Sequence, residues 1–223
     1  MASTRRSGNG HKRAQLSREA ILDAALGIAA DGEQVTFRAL GAALAADPTA
    51  VYRHFRDKDE LVRAVFDRLL VRSRERVDPS AAWQDQVRQV AIATWEECEA
   101  HPSIGTAAHA LTTRGPGEMA SIELLVELLQ STGMADADAV RFYGVLSSYI
   151  LAIAASIASS RLDSEGLERS TAWLGNLDAV DARAYPAVAS LQRELSELQD
   201  IDVYRTGLDV ILDAAAAAAR QPA

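Results

Sequence analysis

The chain has 223 residues, 48% hydrophobic and 24% charged, which is enough apolar material for a sizeable core and excludes global disorder. Its formal charge of −8 hides an asymmetry: residues 1–76 hold 14 Lys+Arg and 10 Asp+Glu, net +4, whereas residues 77–223 hold 9 and 21, net −12. A basic end on an acidic body points to a phosphate-bearing partner at one end only, and the single Cys98 excludes an internal disulfide or thiolate metal cluster and fits a reducing cytoplasm.

Residues 1–16 form a polar, basic segment with Arg5, Arg6, Lys12 and Arg13, expected as a flexible arm without a secretory h-region. A first helix is predicted over 17–30, with Ser17 as N-cap, Glu19 at its positive end, and Ile21, Ala24, Ala25 and Ile28 inward. Gly32 ends it. Thr36 caps a short second helix carrying Leu40 and Leu44, and Ala45-Ala46 makes a tight connection. Asp47-Pro48 starts a third helix over 48–55, burying Val51 and Phe55 and turning Thr49 and Arg53 outward. Asp57 caps a fourth over 58–77, with Glu60 placed for a capping box and Leu61, Val65 and Leu69 inward. Asp78-Pro79-Ser80 marks a boundary between a unit at 17–78 and a body at 79–223.

The body reads as helices over 83–100, 104–112, 118–132, 138–162, 185–199 and 201–219, with an irregular stretch at 163–182 holding a turn near Trp173. No alternating strand pattern is present, so the fold class is all-α. Residues 142–160 carry no charge over 19 positions, close to membrane-spanning length. Arg141 beside them, six Ser or Gly within them and no flanking basic cluster predict a buried core helix and no membrane partner.

Two short helices joined by a tight turn, the second with a polar outer face, form a helix-turn-helix. The run TFRALGAALAADPTAVYRHFRDKDEL, with Tyr52-Arg53-His54-Phe55 and Asp57-Lys58-Asp59-Glu60-Leu61, resembles the DNA-binding domain of TetR-family transcriptional regulators over roughly residues 16–66. It departs from the family pattern at Ala45, usually Gly, and at Gly41, more often Ala. The resemblance implies nine or ten helices, a homodimer, and paired half-sites in double-stranded DNA. It also implies Arg38, Pro48, Thr49 and Tyr52 as base-reading residues. Thr36, the Ala50 backbone N–H, Arg53, His54 and Lys58 follow as phosphate contacts. Taken singly, Arg38 and Arg53 are also compatible with solvated charge, and Tyr52 and His54 with packing.

The family further implies a small-molecule effector in the body. Trp95, His109, Met119, Phe142, Tyr143, Tyr149 and Trp173 are the large or polar-tipped groups able to line its site, with Ser147 and Ser148 as polar contacts and His109 foremost among them. For each, core packing is the competing reading. No metal spacing, Gly-rich phosphate loop or nucleophile elbow appears, so no cofactor or catalysis is expected. The whole reads as a DNA-binding repressor released by a ligand. An all-α enzyme and a non-specific DNA binder are the alternatives, separable by whether a sequence-specific footprint exists.

Overall fold

The computed structural model describes residues 16–163 and 180–220. The basic arm, except Leu16, and the stretch around Trp173 lie outside those residues. Among the described residues the chain forms eleven helices and no strand. Helix α1 (Arg18–Ala30) is capped by the Ser17 hydroxyl, which accepts from Ala20 N at 3.1 Å. It ends where Gly32 turns left-handed at φ 77°, with Glu33 N bonded back to Ile28 O and Gly32 N to Ala29 O. Its buried positions are Ile21, Leu22, Ala25, Leu26 and Ala29, while Ala24 and Ile28 pack at the edge.

Helix α2 (Phe37–Ala43) follows the Thr36 cap, α3 (Pro48–Val51) the Asp47 cap, and α4 (Lys58–Glu75) the Asp57 cap. The third helix is shorter than expected. After Val51 the bonds from Arg53 and His54 tighten to i−3, with His54 N to Val51 O at 2.9 Å, and Phe55 N returns to the same carbonyl at 3.2 Å before the Asp57 cap starts α4. Glu60 also differs from the expected box: its carboxylate accepts from Arg56 N at 3.0 Å, one residue before the cap.

The body contains α5 (Trp83–Ala100), α6 (Pro102–Gly105), α7 (Pro116–Gln130), α8 (Asp136–Asp163), α9 (Pro186–Ser190), α10 (Gln192–Glu197) and α11 (Asp200–Ala219). Pro102 opens α6 instead of only closing α5, since proline is tolerated at a first helical position. The single helix expected over 185–199 breaks at Leu191 and exposes Tyr185, Val188 and Leu191. Helix α8 is long and apolar enough to cross a membrane by length and composition alone. It packs against α5, α6, α7 and α11.

Two apolar clusters organise the molecule. One joins α1–α4 to Cys98, Ile104, Ala108, Ala154 and Ala155 of the body, so packing runs across the sequence boundary at 78–80. The second lies within the body and centres on Trp95, Leu129, Leu146, Tyr204, Leu208 and Leu212. A tie between α4 and α7 reinforces the first. Helix α7 has no cap from its own N-cap residue, Gly115. Asp67 of α4 supplies it: its carboxylate accepts from Gly117 N at 3.0 Å, Glu118 N at 2.9 Å and the Thr113 hydroxyl at 2.7 Å. A Cβ on Gly115 or Gly117 would overlap Asp67 itself, so both positions must be glycine for the approach.

The two departures at the helix-turn-helix turn have opposite consequences. Ala45 sits at φ 47°, a left-handed conformation costing a residue with a Cβ roughly 1–2 kcal/mol. Ala45→Gly should therefore stabilise by about 0.5–1 kcal/mol after its entropy cost, raising Tm by about 2–4 °C. Gly41→Ala, ordinarily favourable in a helix, would place its Cβ 2.9 Å from Ala46 O and 3.0 Å from Pro48 Cγ. It should destabilise by about 1–3 kcal/mol, and denaturant melts of the two variants check both signs.

Candidate nucleic-acid interface and effector cavity

The exposed face of the helix-turn-helix is built by its caps. Thr36 Oγ1 accepts from Ala39 N at 3.1 Å and sets the start of α2. Asp47 Oδ1 accepts from Thr49 N at 2.8 Å and from the Thr49 hydroxyl at 2.7 Å. These bonds, the side-chain one foremost, hold the Asp47 carboxyl below the usual carboxylate range. Asp57 Oδ1 accepts from Glu60 N at 2.7 Å and presents Lys58 as the first residue of α4.

Val51 and Phe55 are fully buried under this frame, which leaves Arg38, Pro48, Thr49, Tyr52, Arg53 and Lys58 exposed together, with Thr36, Ala50 and His54 half-buried between them. Tyr52 is 54% exposed yet stacked on Phe37, with ring centroids 4.1 Å apart. Packing and availability coexist there: the ring is braced on Phe37 and more than half of the residue is exposed. The Ala50 N–H is already bonded to Asp47 O at 2.8 Å, so the backbone group named from the sequence is engaged inside the turn.

Arg18 of α1 is a contributor that sequence reasoning missed. Its guanidinium donates to His54 O at 2.8 Å, lies 4.1 Å from the Phe55 ring centroid, and pairs with Glu60 at 3.6 Å. It closes the carbonyl end left open where α3 stops short. Partners 36 residues apart leave no local signal.

In the body, an apolar cavity of about 70 Å³ lies between α4, α5, α7 and α8. Leu70, Val90, Leu125 and Ile150 form its walls, and Thr94, Glu118, Ser121, Tyr143 and Ser147 bring polar groups. Only Tyr143 and Ser147 of the residues named from the sequence line it. Trp95 and Tyr149 belong to a core stack with Tyr204, at centroid distances of 4.8 and 5.6 Å. The Tyr149 hydroxyl reaches the Val203 and Tyr204 carbonyls, both at 3.1 Å. Phe142 packs at the edge of the second cluster, His109, Met119 and Ser148 are exposed, and Trp173 lies outside the described residues. Glu118 and Ser121 went unnamed because nothing local in a charged or hydroxylated residue at a helix start distinguishes a cavity wall from a solvated turn. Seventy cubic ångströms is well short of the few hundred that a drug-sized ligand fills.

A capped helix-turn-helix on one end, joined by one helix to a cavity-bearing helical body, defines a DNA-binding regulator class. Comparison with known proteins gives the family. The profile of bacterial regulatory proteins of the tetR family matches residues 21–65, and that of the tetracyclin repressor-like C-terminal domain matches residues 77–218. The chain belongs to the TetR family of transcriptional regulators. It is 25% identical over 211 residues to the HTH-type transcriptional repressor DrrR1 of Streptomyces coeruleorubidus, covering 89% of this chain and 76% of that one. Among solved structures, the Streptomyces coelicolor TetR family protein ActR in complex with actinorhodin superposes with TM-score 0.76 at 25% identity, covering 94% and 100% of the two chains. The S. coelicolor TetR protein SCO7222 does so with TM-score 0.72 at 28% identity, covering 92% and 100%.

Proposed function

We propose that the chain is a cytoplasmic homodimeric repressor, not an enzyme, that reads paired half-sites through α3 and its flanking turns and is released by a small molecule entering the α4/α5/α7/α8 cavity. One observation carries this reading. Helix α4 presents Lys58 on the DNA-facing end and Leu70 in the cavity wall, 12 residues or about 18 Å along one rigid element. A ligand larger than about 70 Å³ must part the walls of this cavity, and α4 is one of them. The ligand-bound ActR neighbour supports a small-molecule effector of this kind.

The interface of the proposed dimer is argued from the faces of α8 and α11 that the protomer leaves uncovered. Leu208 and Leu212 of α11 are buried in the protomer's own core. The outward stripe of α11 is Thr206, Val210, Ala214 and Ala217, and that of α8 includes Val145, Ser148, Ala152 and Ser156. Val210 at 63% and Val145 at 49% exposure are apolar groups without cover, and the small residues between them permit close helix approach. Val210→Asp should give a folded monomer on sedimentation, whereas Leu212→Asp should unfold the chain by burying an unpaired charge. A wild type sedimenting as a monomer at micromolar concentration would remove the dimer from the reading.

Selection of genomic fragments should enrich a paired motif. Against it, Tyr52→Ala should relax sequence preference, while Lys58→Ala should weaken all sequences alike and make the salt slope shallower by about 1 per site. Equal affinity of the wild type for enriched and random DNA would favour the non-specific binder instead.

Coupling must be reciprocal. A ligand that weakens DNA binding a hundredfold needs about 2.7 kcal/mol of coupling, and operator DNA must then weaken ligand binding by the same factor. Calorimetry of the cognate molecule with free and operator-bound protein should show that difference, and equal affinities would rule out release by this route.

A further inference from the structure

The reading above leaves open which group in the cavity an occupant acts upon. We propose that Glu118 is the positioning residue that transmits occupation to α4, and that the occupant presents a cationic or hydrogen-bond-donating group to its carboxylate. This deepens the repressor reading and rests on it.

Glu118 belongs to two structures at once. It lines the cavity, beside Ser121 one turn further along α7. It also holds the loop leading into α7: its Oε2 accepts from Arg114 N at 2.6 Å and lies 3.2 Å from the Thr113 hydroxyl. That hydroxyl donates to Asp67 Oδ1 at 2.7 Å and accepts from Gly115 N at 3.1 Å. One hydroxyl proton therefore stands between two carboxylates that are acceptors only when ionised. Cavity, loop and connector helix meet at that point, and Glu118 is the only member of the knot that faces the cavity.

The loop is held against its own preference. Arg114 sits at φ 55°, in the left-handed region, a conformation that persists only where surrounding bonds fix it. The bond from its N–H to Glu118 is one such constraint. A cation or strong donor in the cavity competes for the same carboxylate. If Glu118 turns toward it, Arg114 N loses its acceptor, the loop relaxes, and Asp67 loses the Thr113 hydroxyl that the loop presents. Asp67 is 8% exposed, so losing the hydroxyl leaves a largely buried carboxylate one donor short. The α4–α7 tie loosens at mid-helix, and the Lys58 end of α4 is freed from the geometry that α7 imposed. A neutral, purely apolar occupant of the same volume pulls on none of these bonds.

The test places the group directly, so no natural ligand is required. Cys98 is the sole cysteine, buried, with its thiol pushed up to about 12 by desolvation, and it resists labelling. Ser121→Cys introduces a reactive thiol on the cavity wall, to be modified with either aminoethyl or methyl methanethiosulfonate and verified by mass spectrometry. Operator DNA comes from the genomic selection. The aminoethyl adduct should weaken operator binding at least tenfold, the methyl adduct should stay within twofold of the unmodified variant, and Glu118→Gln should abolish the difference. Equal effects of the two adducts, or an aminoethyl effect that survives Glu118→Gln, would overturn the proposal.

A label-free pair gives a second decision. Thr113→Val removes the hydroxyl at constant shape and should weaken operator binding at a temperature where circular dichroism shows it folded, whereas Thr113→Ser should bind like the wild type. Wild-type affinity in both would overturn the role of the knot. A wild type that enriches no DNA sequence would instead overturn the repressor reading, and that is known before any variant is made.

Discussion

The carboxylate of Asp67 against the N-terminus of α7 is the contact on which the rest of this arrangement depends. A helix start leaves N–H groups without intrahelical partners, and burying them unpaired costs about 1–3 kcal/mol each. Here the second and third helical N–H groups of α7 are satisfied by a residue of α4, 50 and 51 positions away. That bond fixes where α7 begins relative to the connector helix, and hence the shape of the cavity between them. Other ties between α4 and the body are weaker. Arg72 meets Glu97 at 3.6 Å and Arg76 pairs with Glu96, but both arginines are about half exposed, and such pairs contribute little.

The division of labour follows from this. The DNA-facing residues are positioned by short-range caps that need only their own few residues to form. The cavity is positioned by long-range packing and one buried carboxylate. Helix α4 belongs to both and α1 packs on α6 beside it, so a disturbance in the second reaches the first without passing through a flexible joint. The first apolar cluster, which runs from Ile21 and Phe55 to Ala154 and Ala155, makes the same point in packing terms.

Most of the fold was legible because its signals are local. Ser17, Thr36, Asp47 and Asp57 all cap the helices assigned to them, and apolar spacing located α1, α4, α5, α7, α8 and α11 to within a few residues. Legibility failed where geometry between distant segments decides. The carbonyl at the end of α3 is closed by Arg18, which sits in another helix. Leu212 and Val210 are both apolar and two residues apart, so composition alone did not say which of them turns inward. In the body, Trp95 and Tyr149 have the right chemistry for a ligand site, but Tyr204 and Gly207 of α11 claim them for packing. The residues that do line the cavity include Glu118 and Thr94, whose roles become visible only when four helices are brought together.

The glycines facing Asp67 carry an evolutionary consequence. Gly115 cannot acquire a side chain while the carboxylate stays in place, Gly117 is held to glycine by the Asp67 backbone carbonyl whatever side chain stands there, and losing the carboxylate first leaves α7 uncapped. Each single step is therefore worse than the sum of its parts, the signature of strongly coupled sites. Descendants of this chain are confined to keeping Gly117 and to keeping or exchanging Asp67 and Gly115 together, for instance by lengthening the loop so that α7 gains a Ser or Asp cap of its own. Among relatives that retain the fold, positions 67 and 115 should covary while 117 stays glycine, and lineages that broke the pair should have rebuilt the entrance to α7.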